Sequence, residues 1–285
     1  MLSKSVLLAA ALVAVSISAK AQDASVPMPY LAIDRNQITA AMGGARATDA
    51  LFNPAAIPFT GSDIALSYQS WSSAGNKASH VNLLGGIKIG KRVGLSVKAV
   101  GQFGAQYDSF TPYDLIFGAG VGVAFTDYLS AGVNLAFTSE KLTRDISFNA
   151  FAADIFLLLR FSAFKVSAGV CSLGTPVKSG NRSYPLPSSA KLGASYSLPF
   201  GLSFSADGDY FFNGGLGLAV GAQYAWDNML FVRIGYHYGS EKAAIGSYLS
   251  LGAGFKFAGF HLDFCYMTAS QALNGTWGLG VGYTF

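Results

Sequence analysis

Asp207 and Asp209 are the carboxylates in this chain best spaced to act together. Alternate residues of a strand share a face, so both would point the same way. Such a pair could bind calcium or divide acid and base roles. Arg233, Lys256, His261 and Asp263 fall on the same inward face, and the plainer reading is a polar network in which Arg233 pairs with the two aspartates. His80, His237 and His261 stand apart, with no metal-ligand spacing. No Gly-x-Ser-x-Gly elbow supplies a nucleophile. The chemistry-bearing residues therefore predict no catalytic site, no metal and no cofactor.

The elements that would position these residues are strands. The C-terminal stretch alternates Trp277, Leu279, Val281, Tyr283 and Phe285 with glycine or threonine. One face is apolar and the other small, and in water such a strand invites aggregation. In a membrane barrel its apolar side meets lipid. Similar alternation, in spans of about 9–13 residues, recurs from residue 62 onward and suits tilted barrel strands. The expected strands are 62–71, 78–90, 92–103, 112–125, 128–140, 147–160, 163–173, 188–198, 202–212, 215–225, 229–238, 247–257, 260–268 and 274–285. Short turns alternate with mostly longer links, including one at 72–77. Tyr68, Trp71, Phe211, Trp226 and Trp277 lie near strand ends, as interfacial aromatic girdles do.

Composition agrees. The chain is 51% hydrophobic and only 12% charged, against roughly 25% charged in soluble domains. No apolar run after residue 21 could form a spanning helix, and only helices and closed barrels satisfy their backbone in lipid. The formal charge of +4 includes Lys4 and Lys20 of a leader pattern, leaving +2; this is no nucleic-acid footprint. That leader has a charged start, an apolar stretch over 6–17 and an Ala19-Lys20-Ala21 cleavage pattern. It predicts a secretory signal over 1–21. Cys171 and Cys265 fall on distant strands and are expected to be free thiols.

Residues 22–61 lack strand alternation and are expected to sit in the barrel as a plug or hatch, with the barrel itself over 62–285. Within them runs Ala41-Met42-Gly43-Gly44-Ala45, then Asp49, then Asn53-Pro54-Ala55. Glycines here permit backbone closed to other residues, and the residue before proline is held extended. This stretch resembles the N-terminal signature of the PorV/PorQ family, a branch of the FadL-like fourteen-stranded barrels. The resemblance implies a Gram-negative, Bacteroidota-type outer-membrane protein. It implies a non-enzymatic role as an accessory in type IX-like secretion or surface assembly, with protein partners in that complex. Met42, Gly43, Gly44, Asp49, Asn53, Pro54 and Ala55 would form the hatch motif. The alternative is a FadL-like passive transporter of small hydrophobic molecules. Either way the barrel would contact outer-membrane lipid, and Tyr283 and Phe285 would serve as its signal to the barrel-assembly machinery.

Overall fold

The computed structural model describes residues 28–33, 36–73, 76–106, 110–179, 182–270 and 273–285; the expected leader lies outside them. Fourteen antiparallel strands close into one barrel. The first seven are β1 (Asp63–Ser73), β2 (Asn76–Ile89), β3 (Val93–Phe103), β4 (Tyr113–Ala124), β5 (Leu129–Lys141), β6 (Ser147–Phe161) and β7 (Phe164–Gly174). A separate hairpin follows, β8 (Val177–Ser179) with β9 (Arg182–Tyr184). The barrel resumes with β10 (Ser189–Ser197), β11 (Leu202–Phe211), β12 (Leu216–Trp226), β13 (Leu230–Gly239), β14 (Tyr248–Phe257), β15 (Phe260–Thr268) and β16 (Thr276–Thr284). Each barrel strand begins and ends within two residues of its expected span. Pairing of β1 with β16, Leu66 opposite Val281, closes the ring.

The alternation that predicts the strands also sorts their faces. On β1, Ile64, Leu66 and Tyr68 are exposed, whereas Ala65, Ser67 and Gln69 are buried. On β16, Trp277, Leu279, Val281 and Tyr283 point outward and Thr276 and three glycines point inward. The outer wall is thus a band of large apolar side chains, as a lipid-facing barrel requires. No helix among the described residues is long and apolar enough to cross a membrane.

One end of the barrel carries the short turns. At Asp227-Asn228 and Ala258-Gly259 both residues take positive φ, the primed-turn geometry whose twist matches paired strands. The other end carries most of the longer links, at 104–112, 175–188 and 240–247. The link expected at 72–77 is shorter than that. Pairing runs on to Ser73 opposite Asn76, which satisfies backbone groups a loop would leave to solvent.

Candidate functional site

Residues 36–60 make hydrogen bonds to inward-facing side chains on both halves of the ring, so this stretch lies across the lumen. It contains helix α1 (Gln37–Ala40), capped by the Asn36 side chain, and a 3-10 helix at Pro54–Phe59. Asn53 caps the latter: its Oδ1 accepts the Ala55 N–H at 2.9 Å. Its Nδ2 donates to the Ala47 carbonyl at 2.7 Å and to Ser167 Oγ of β7 at 2.9 Å. Asn53 is extended, as its place before Pro54 demands. Ser130 Oγ of β5 donates to the Ala55 carbonyl at 2.6 Å. Gly122 and Gly132 face Pro54 and Ala55, and any Cβ there would overlap the helix backbone.

The other half of the motif meets the opposite wall. Gly43 and Gly44 take φ of 73° and 82°, the left-handed region that favours glycine. The Gly43 N–H donates to Ser250 Oγ at 3.0 Å, and its carbonyl lies 3.1 Å from His237 Nδ1. A Cβ on Gly43 would stand 2.5 Å from the Tyr236 carbonyl oxygen. Met42 lies over Gly221 and Gly235. Asp49 closes a turn, its Oδ1 accepting the Leu51 N–H at 3.0 Å.

The expected polar network is two networks. Asp207 and Asp209 pair with Lys191 of β10, at 3.6 and 2.5 Å, and not with Arg233. Register explains this, because Lys191 stands directly opposite Asp209. Arg233 reaches the other way, across β14, to Asp263 at 2.6 Å. Gly254 makes the room: a Cβ there would lie 2.6 Å from Asp263 Oδ1 and 2.7 Å from Arg233 Nη1. Arg233 Nε also donates to Gln223 at 2.6 Å. His261 lies between Asp263 (2.7 Å) and Asp63 (3.1 Å). Lys256 belongs to neither network; its Nζ donates to Thr284 Oγ1 at 3.2 Å.

The first network anchors the lumenal insert. Arg46 and Ala47 donate their backbone N–H groups to Asp207, both at 2.7 Å. The Arg46 guanidinium donates to the carbonyls of Ala32 and Ile33 and lies 4.3 Å from the Phe52 ring centre. Sequence reading missed Lys191 because its strand partner depends on register, and gave Arg46 no role because its partners are backbone carbonyls.

Beside the insert is a cavity of about 70 Å³. Leu84, Val100, Ile116 and Phe211 give it apolar walls, and Lys98, Asp154 and Lys191 give it a charged side. Phe211 is therefore inward, not part of a girdle, and Trp71 also turns in, its ring tilted against that of His80 with centroids 4.4 Å apart. Both belong to the inward parity of their strands, which proximity to a strand end does not reveal. Cys171 lines the cavity and Cys265 is buried on β15; neither forms a disulfide. Tyr283 and Phe285 stack outside, at 6.0 Å.

The cavity meets the wall where pairing is irregular. The β6–β7 register shifts between Ala153 and Ile155. Asp154 Oδ1 there accepts the N–H of Ser172, a non-glycine residue with φ of 53°. Above this point β7 leaves β10, whose ladder ends at Ser189 opposite Cys171. Ser172 and Pro187 line the cavity at the gap. Asp154 Oδ2 pairs with Lys98 at 3.4 Å.

No known family description matches the chain, and no curated protein does. Solved structures do. The chain is similar to the Ralstonia pickettii toluene transporter TbuX, at 14% identity and a TM-score of 0.62, over 90% of this chain and 100% of that one. It is similar to the monoaromatic hydrocarbon channel CymD, at 13% identity and a TM-score of 0.65, over 89% and 98%. A Pseudomonas aeruginosa FadL homologue matches at 14% identity and a TM-score of 0.56, over 87% and 98%. These likenesses are of fold: a closed antiparallel barrel, of fourteen strands in this chain.

Proposed function

We propose that this protein is a passive outer-membrane conduit for small hydrophobic molecules, with residues 22–61 as its hatch. The observation that carries the reading is the partly apolar cavity beside the insert, which reaches the wall where β6, β7 and β10 lose regular pairing. A conduit needs both a pocket and an interrupted wall, and the two coincide at Ser172. The cavity is smaller than the ~150 Å³ that holds a benzene molecule, so passage requires the insert to shift. Its anchors are hydrogen bonds, not covalent links, so such a shift is open to it. Lipid covers the outward faces, and the closing strand with Tyr283 and Phe285 is the segment offered to the assembly machinery.

The secretion-accessory reading rests on the motif over 41–55, and those residues have a local role in packing the insert against the wall. Purification from native outer membranes in mild detergent separates the two. A barrel carrying apolar small molecules, and faster toluene entry into vesicles that contain it, supports the conduit. Stoichiometric secretion components with no effect on toluene entry would overturn it.

A further inference from the structure

The polar groups that line the cavity are not equally satisfied. Asn134 donates to the Phe52 carbonyl at 3.1 Å and accepts from Ser96 Oγ at 2.9 Å. Lys191 is held by Asp207 and Asp209, with its side chain 3% exposed. Arg46 donates to two backbone carbonyls. Lys98 differs. An ammonium carries three donors. Among the described residues Asp154, at 3.4 Å, is the one hydrogen-bond partner of Lys98 Nζ, and this side chain is 26% exposed.

The wall is shaped to place that ammonium. Lys98 stands opposite Gly118 on β4, and a Cβ on Gly118 would lie 2.7 Å from Lys98 Cε. Gly118 stands opposite Ala136 on β5, and Ala136 opposite Ala152 on β6. These small residues let the Lys98 stem lie along the wall toward Asp154. Apolar surface flanks it. Leu84 stands opposite Lys98 on β2, and Val100 faces Ile116 one inward step toward the loop end. All three line the cavity with Lys98 and Asp154.

This combination discriminates among guests. A hydrocarbon pressed against Lys98 would keep solvent from its two remaining donors, and polar groups covered without a partner are costly. A hydroxyl oxygen can accept from Lys98 Nζ while its own proton is donated to Asp154 Oδ2. A carboxylate could accept, but it would set a second negative charge beside Asp154 and has no proton to donate.

We propose that the cavity selects small rings that bear a hydroxyl, a phenol over toluene or benzoate, and that Lys98 with Asp154 makes the choice. The proposal rests on the conduit reading above and names its cargo. The insert must still shift to admit a ring, and the pair at Lys98 decides which ring is held.

The test is equilibrium dialysis of labelled phenol, toluene and benzoate against the folded protein in detergent at neutral pH, with uptake by detergent alone subtracted. Phenol should bind saturably and about tenfold tighter than the other two. Lys98→Met keeps the stem and removes the donors, so it should cancel the preference, whereas Lys98→Arg should keep it. If Lys98→Met does not fold, as judged by heat-dependent gel migration, Asp154→Asn takes its place and should weaken phenol severalfold with toluene unchanged. Toluene or benzoate bound as tightly as phenol would overturn the proposal and leave the conduit reading standing. So would a preference unchanged in whichever of Lys98→Met and Asp154→Asn folds. Saturable binding of none of the three would overturn both.

Discussion

Asp207 Oδ2 accepts the backbone N–H of Arg46 at 2.7 Å, which fixes the lumenal insert to β11. The same oxygen takes the Ala47 N–H, and Lys191 neutralises the carboxylate. Replacing Asp207 by alanine leaves two buried N–H groups without an acceptor, at a cost of about 1–3 kcal/mol each. Asp207→Asn keeps an acceptor and loses only the charge, so it should cost less. The expected outcome is faster proteolysis within 41–53 and a lower melting temperature for Asp207→Ala, with Asp207→Asn between it and wild type. Limited proteolysis in detergent, read by mass spectrometry, checks the order.

Arg233 and Asp263 give a sharper contrast. Both are buried, and removing one partner strands a charge at about 3–5 kcal/mol. Arg233→Met and Asp263→Leu should each lower the unfolding midpoint strongly. Together they should recover most of the loss, because an apolar pair of similar volume replaces the ion pair. Urea unfolding of the four proteins in a double-mutant cycle reads this directly, and additive losses would count against it.

The barrel was legible in sequence because every strand repeats one rule, large apolar outside and small or polar inside, over a length set by the membrane. Partners inside the lumen were less legible. Whether Asp209 meets Lys191 or Arg233 depends on register and on where glycine leaves room, and neither Gly193 nor Gly254 signals its role in a local pattern. The motif over 41–55 marked the wall contacts of the insert, since its glycines and its Asn-Pro step each serve a close approach. The bulge at Asp154 left no such mark, because Ser172 is an ordinary residue in an unusual conformation.

Gly122 shows how tightly the insert is seated. A Cβ there would overlap the Pro54 carbonyl, and backbone of a capped helix cannot turn aside as a side chain can. Gly122→Val should therefore displace the Pro54–Phe59 helix, lower the melting temperature and expose 50–60 to protease, since overpacking costs about 1–3 kcal/mol. Gly208→Ala is the control: its Cβ would meet only Leu218 Cδ2, at 3.6 Å. It should fold with wild-type yield and protease resistance.

Asp154 joins the cavity to the irregular wall, with one oxygen on the Ser172 N–H and the other near Lys98. Ser172 holds a left-handed backbone that costs a non-glycine residue about 1–2 kcal/mol, and the Asp154 bond offsets part of that. Asp154→Ala should loosen the β6–β7 bulge and leave Lys98 unpaired beside the cavity. Under the conduit reading this wall is the point of passage, so the variant should melt earlier yet admit toluene into vesicles faster than wild type. Adding Ser172→Gly should restore part of the stability, since glycine takes φ of 53° without strain. Toluene entry slower than wild type in a folded Asp154→Ala barrel would place the route elsewhere in the wall.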